Sequence, residues 1–247
     1  MNRRQAIGLA GGALATGLTA GAGLTLRLHR EPRRLPFLTD AHLATISPDP
    51  AGPPAILFIG NSMIMGHNVP SLVIERAAKD GIALQVGMAA AHGARLIETV
   101  RIDALRQVLS QNRWDALVLQ DFTMTPLRVI DRWGSLLAMR RLAAWTGATS
   151  VLLCPPWPAR ADTSIYRDAG RAIVRPDDPS DYARRTMAYY DHAASQIGAD
   201  VVNLPDTWRL AVEAGQPLYA RDGHHASPAG ASFAAEQVWT ALSKHLI

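Results

Sequence analysis

The sequence predicts an α/β fold built on a mostly parallel sheet. Three observations carry that expectation. From Ala55 onward, short apolar runs alternate with longer amphipathic ones. The short runs are almost continuously apolar, as in strands covered on both faces. Strands and helices of these lengths alternate along the chain, the pattern of parallel strands joined by right-handed crossovers. A chain of 247 residues is long enough for one such domain with a sizeable core.

The opening segment, "MNRRQAIGLAGGALATGLTAGAGLTL", stands apart. Arg3-Arg4 precede an uncharged run from Gln5 to Leu26, and Ala20-Gly21-Ala22 fits a small-residue cleavage site. Paired arginines before a Gly- and Ala-rich, weakly apolar stretch resemble a twin-arginine export signal, so residues 1–26 are expected to direct export to the periplasm or beyond. An uncleaved N-terminal membrane anchor is the alternative; the six glycines and three threonines of the run weaken it. The formal net charge is +4. Cleavage after Ala22 removes Arg3 and Arg4 and no acid, which leaves 23 bases against 21 acids. That balance argues against a nucleic-acid partner, which needs a concentrated basic patch. Cys154 is the only cysteine, so no internal disulfide is expected.

Residues 27–54 are rich in charge and proline, end in "PDPAGPP", and read as an extended lead-in to a domain over 55–247. Strands are expected at 55–60, 82–89, 115–120, 149–154 and 200–204. Helices are expected at 70–79, 94–111, 128–146, 181–197, 206–214 and 228–245, the second from the helical spacing of Leu96, Val100, Leu105, Val108 and Leu109. The stretch 155–180, "PPWPARADTSIYRDAGRAIVRPDDPS", breaks the rhythm. A connection this long inside a domain is often functional, and Trp157, Tyr166 and Ile173 argue that it packs, as a rim over a pocket.

In an open parallel sheet, ligands collect at the carboxyl ends of the strands. The first strand ends at Gly60-Asn61-Ser62. The second runs into "AAAHGARL" with Gly93, the third ends at Leu119-Gln120-Asp121, and "ARDGHHASPAGASF" precedes the last helix. A serine, a glycine, an amide and an Asp/His pair are thus gathered at one sheet edge. Those are the parts of an acyl-transfer site: nucleophile, oxyanion donors, base and base-orienter. Two residues between Asp222 and His225 let the chain turn so that the carboxylate meets Nδ1–H, which leaves Nε2 to take a serine proton. Each residue also has a plainer reading. Ser62 suits a helix cap, Asn61 a turn, and Asp121 a cap at a strand end. His224 suits the rim, and an adjacent His pair alone is weak evidence of metal binding. His67 and His92 fall on loops near the same edge, and Cys154 reads as a small buried hydrophobe.

At these residues the chain resembles the SGNH (GDSL-type) hydrolases. "FIGNSMIMG" is similar to their first block, "AAAHGARL" to the second, and "DGHHASPAGASFAAEQV" to the last, in that order over about residues 55 to 247. The resemblance implies a three-layer α/β/α sandwich, SGNH-hydrolase-like and flavodoxin-like. It implies ester chemistry with Ser62, Asp222 and His225 as catalytic residues and Gly93 as a backbone oxyanion donor. The family commonly places an Asn after the third strand; here "DALVLQDFTMTP" has none, and Gln120 is the candidate third donor beside the N–H groups of Ser62 and Gly93. The expected function is a serine esterase acting on lipid or acetylated-carbohydrate esters, without metal or cofactor. An O-acyltransferase acting on envelope polysaccharide and a non-catalytic binding protein on the same fold are the competing readings.

Overall fold

Five strands carry the domain: β1 (Ala55–Gly60), β2 (Gln85–Ala90), β3 (Ala116–Leu119), β4 (Ser150–Leu153) and β5 (Asp200–Val201). They come from a computed structural model that describes residues 38, 40–43, 45–167 and 174–246. The export-signal segment 1–26 lies outside the described residues, as does Ile173. The strands pair in parallel throughout, in the order β2-β1-β3-β4-β5. That is a doubly wound order, with the chain reversing direction across the sheet between β1 and β3.

Each strand turns alternate side chains to opposite faces. Ile56 and Phe58 of β1, with Val118 and Leu152, pack under α2 (Val69–Lys79) and under two helices that follow β5. Leu57 and Ile59, with Leu117, Leu119 and Leu153, pack on the other side, so helices cover both faces and the molecule has three layers. On that second face lie α4 (Asp103–Gln111), α5 (Val129–Thr146) and α6 (Pro179–Ile197). The first face is completed by α7 (Leu204–Glu213) and α8 (Pro228–Leu246). Helix starts follow local chemistry. Asp178 accepts from Asp181 N ahead of Pro179 in α6, and Ser227 Oγ accepts from Gly230 N ahead of α8.

Three expectations need correction. The helix expected over 94–111 is two helices, α3 (Leu96–Thr99) and α4, because Ile102 is extended at φ −87°, ψ 109°. The break lets Leu96 and Val100 as well as Leu105, Val108 and Leu109 reach one core. β5 has two residues rather than five, because Leu204-Pro205 already begins α7. The lead-in is not simply extended: a helical turn at Asp40–Leu43 precedes β1, and Leu38, Leu43 and Ile46 are buried in the second-face core. Ile46 also accounts for Gly87, where a Cβ would stand 2.5 Å from Ile46 Cγ2.

The described part of the 155–180 stretch is packed. Trp157 and Tyr166 are buried, and Trp157 stacks on Trp208 with ring centroids 4.3 Å apart and planes 7° from parallel. Leu127, Ala159, Tyr166 and Tyr182 form a small cluster of their own.

Candidate active site

β1 ends on a glycine for a steric reason. A Cβ at Gly60 would lie 2.7 Å from Gln120 Oε1 and 2.9 Å from Ile64 Cδ1. The next residue, Asn61, is buried, and its Oδ1 accepts from Met63 N at 3.1 Å. Asn61 is therefore the cap of a short helix, α1 (Ser62–Met65), and Ser62 is its first residue rather than the cap. A first helical residue has no intrahelical acceptor for its N–H, so the Ser62 N–H is available at the carboxyl edge of the sheet.

His225 completes the contact from the far end of the chain. Its Nε2 lies 3.1 Å from Ser62 Oγ, and its Nδ1 lies 2.6 Å from Asp222 Oδ2. With Nδ1–H donating to the carboxylate, Nε2 carries the lone pair and accepts from the serine hydroxyl. The other carboxylate oxygen, Asp222 Oδ1, accepts from the N–H groups of His224 and His225 at 2.9 and 3.0 Å. Partial burial works to raise the Asp222 pKa, but these hydrogen bonds, led by the one from the His225 ring, hold it well below the usual carboxylate range. The turn between them requires Gly223, whose φ is +68°. The His224 ring stands edge-on to that of His225, 4.9 Å between centroids. Burial and then the neighbouring His225 lower the His224 pKa. Among the described residues no three His, Cys, Asp or Glu side chains converge, so the histidine pair has no third metal ligand there.

The long connection after β4 holds this loop in place. Trp157 Nε1 donates to His224 O at 3.0 Å, and Arg160 N donates to Gly223 O at 2.7 Å. Tyr219 Oη donates to Pro158 O at 2.8 Å. Sequence reasoning placed this segment at a rim but did not find its bonds to the histidine loop. The only available signal was an aromatic residue among prolines directly after a strand. Cys154, just before it, is buried and its thiol is pushed up to about 12 by that burial, which leaves it unreactive.

Gly93 sits in the turn after β2 with φ +64°, and its N–H meets no acceptor among the described residues. Two buried side chains fasten that turn. Asn61 Nδ2 donates to Ala94 O at 3.1 Å, and Asp121 Oδ1 accepts from Leu96 N at 3.0 Å. The first of these ties the Gly93 turn to the residue preceding Ser62. Asp121 also accepts from Phe122 N at 2.6 Å, so it acts as a cap, with its own N–H donating to Tyr190 Oη. Burial raises the Asp121 pKa, against the hydrogen bonds it accepts.

Asp121 supports a prediction with a defined sign. A carboxyl whose folded pKa is raised contributes stability below the unfolded value, near 3.8, and that contribution is lost as pH rises through the folded value. Asp121→Asn keeps an acceptor without the charge, so its stability relative to wild type should improve as pH rises. Asp121→Ala leaves the buried Leu96 N–H and the half-buried Phe122 N–H without this acceptor and should cost about 1–3 kcal/mol. Urea denaturation at several pH values measures both; a difference between wild type and Asp121→Asn that does not change with pH would contradict the first expectation.

Gln120 differs from what the sequence suggests. Its Oε1 accepts from Asn61 N at 3.0 Å, and its Nε2 donates to Asp121 O. The amide is buried, with both ends engaged by backbone. The structure thus gives it the task of holding the Asn61–Ser62 turn to β3, in place of the oxyanion contact expected of it. Gln120→Ala should cost about 1–3 kcal/mol by leaving the buried Asn61 N–H unpaired. Turnover per folded molecule should fall much less than the about 10²–10³-fold typical of a lost oxyanion donor. Melting temperature and turnover measured on the same samples decide between the roles.

No family model and no curated protein matches the chain. Solved structures do. A candidate SGNH hydrolase from Slackia heliotrinireducens is 24% identical with a TM-score of 0.63, over 77% of this chain and 100% of that one. A lipase/acylhydrolase from Enterococcus faecalis is 17% identical with a TM-score of 0.59, over 78% and 97%. The psychrotrophic esterase EstA from Pseudoalteromonas sp., in a structure inhibited by monoethylphosphonate, is 14% identical with a TM-score of 0.55, over 77% and 97%. At these identities the likeness establishes the fold.

Proposed function

We propose that this chain, which has the SGNH-hydrolase fold, is a serine esterase working through Ser62, His225 and Asp222. The observation that carries the reading is the continuous contact from Asp222 Oδ2 to His225 Nδ1 and from His225 Nε2 to Ser62 Oγ. A serine hydroxyl is a poor nucleophile until a base takes its proton. As Ser62 Oγ bonds to the ester carbonyl carbon, His225 Nε2 accepts that proton and the carbonyl oxygen becomes an oxyanion. The N–H groups of Ser62 and Gly93 are the donors for it. The bond to the alcohol oxygen then breaks and His225 returns the proton to it. Water, deprotonated by the same nitrogen, releases the acid and restores Ser62. Asp222 holds the ring in the required tautomer and offsets the charge it gains.

The imidazole and carboxylate side chains are 40% and 51% exposed. An open site suits an ester that is part of a larger molecule, such as a lipid or an acetylated glycan. A fluorophosphonate probe tests the reading: labelling mapped to Ser62 and lost on His225→Ala supports it, and no labelling at high probe concentration removes it. The paired arginines at the start of the chain support action outside the cytoplasm. Arg3→Lys with Arg4→Lys should leave the protein in the cytoplasmic fraction, and unchanged fractionation would remove the twin-arginine reading.

A further inference from the structure

Helix α5 carries an apolar face that no other part of the described fold covers. Val129 is 64% exposed, Ile130 53%, Trp133 76% and Leu137 39%. Its opposite side, Ser135, Ala138, Met139, Leu142 and Thr146, is buried. Residues 130, 133, 137 and 140/141 recur at helical spacing, so the exposed ones form a single stripe along the axis. The stripe is apolar in its first half and cationic in its second, where Arg140 and Arg141 are exposed. The helix's one acid, Asp131, is drawn off the stripe by Arg95 and Arg128 at 3.5 and 3.3 Å.

We propose that this face of α5 docks on a bilayer surface bearing anionic headgroups. A tryptophan with aliphatic neighbours on a convex helix suits the boundary between headgroups and acyl chains, which is fluid and closes around it. The arginines on the same stripe complement lipid phosphates, and their long stems let the guanidinium groups reach the headgroup layer while the apolar half inserts. The position of the stripe has a consequence for the site. Arg95 lies two residues after Gly93 and pairs with Asp131 in the first turn of α5, and Gly134 packs against Ile97 of α3. The apolar half of the stripe therefore adjoins the sheet edge that holds Ser62, and docking brings that edge to the lipid. The proposal is about binding and holds whether or not Ser62 reacts.

Tryptophan emission reports on it directly. Trp114, Trp157, Trp208 and Trp239 are buried and Trp145 is half-buried beneath Arg106, so Trp133, at 76% exposed, is the tryptophan most open to lipid. The full chain is mixed with phosphatidylglycerol–phosphatidylcholine vesicles whose acyl chains are brominated. Quenching is expected in wild type and should be lost in Trp133→Phe, with circular dichroism and p-nitrophenyl acetate turnover unchanged. Arg140→Gln with Arg141→Gln should weaken binding to these vesicles by about 30-fold and leave binding to pure phosphatidylcholine nearly unaltered. Absence of quenching in wild type overturns the proposal. Equal quenching in Trp133→Phe also overturns it, because the chain would then reach lipid by another route, such as residues 1–26. Unchanged vesicle binding by the arginine variant overturns the anionic assignment. Self-association abolished by Trp133→Ser, without quenching, would give the face to a second copy of the chain instead.

Discussion

Replacing Ser62 by alanine should lower p-nitrophenyl acetate turnover by about 10⁴–10⁶-fold. On the proposed mechanism the change removes the atom that forms the covalent bond. The cost to folding should be within about 0.5 kcal/mol, because the hydroxyl is partly exposed and its hydrogen bond goes to a partly exposed ring. The melting temperature should therefore not move with the activity. His225→Ala should lose a comparable factor, and the double variant should lose little more, since on the proposed mechanism nucleophile and base act as one unit. A Ser62→Ala protein that keeps wild-type turnover would place the chemistry elsewhere. A double variant whose losses multiply would show that the two residues do not act in one step.

Trp208→Ala should have the largest effect on stability, about 3–5 kcal/mol. Trp208 is fully buried, stacked on Trp157 and edge-on to Tyr219 and Phe233 at 5.6 and 6.1 Å. With the Leu218 backbone, its ring also explains Gly230 in α8: a Cβ there would stand 2.1 Å from Leu218 O and 2.7 Å from Trp208. Truncation opens a cavity that helix and loop cannot both close. A second consequence follows through Trp157, which loses its stacking partner while holding His224 O. Turnover should fall at temperatures where the variant is still folded, and Trp208→Phe, which keeps part of the stack, should be intermediate in both measures. Urea denaturation and turnover on matched samples read the two effects. A stability loss below about 1 kcal/mol would mean that the cavity closes and the stack contributes little.

Periodicity and spacing are local properties, and what depends on them was legible in the chain. The five strands were placed to within a few residues because each is a short apolar run flanked by turn residues, and the parallel arrangement follows from their alternation with helices. The Asp222-x-x-His225 contact is local in the same sense, since three residues of turn bring the carboxylate to Nδ1. The break between α3 and α4 was not legible, because Leu96 to Leu109 keep nearly helical spacing through an extended Ile102. Nor was the work of the polar residues at the strand ends. Gln120 meets Asn61 across 59 positions, Asp121 meets Leu96 across 25, and Trp157 meets His224 across 67. An amide, a carboxylate and an indole can each serve chemistry or backbone, and the choice depends on which unpaired group burial brings within 3 Å. Local pattern was enough to give the layers of the sheet, the loops that meet at its carboxyl edge and the turn that joins Asp222 to His225. That Ser62, 163 positions away, faces that imidazole, and that Gln120 and Asp121 bind backbone, emerges from long-range packing alone. Buried N–H and C=O groups must find partners, and those partners are set by the packing of distant strands rather than by any neighbour in the chain.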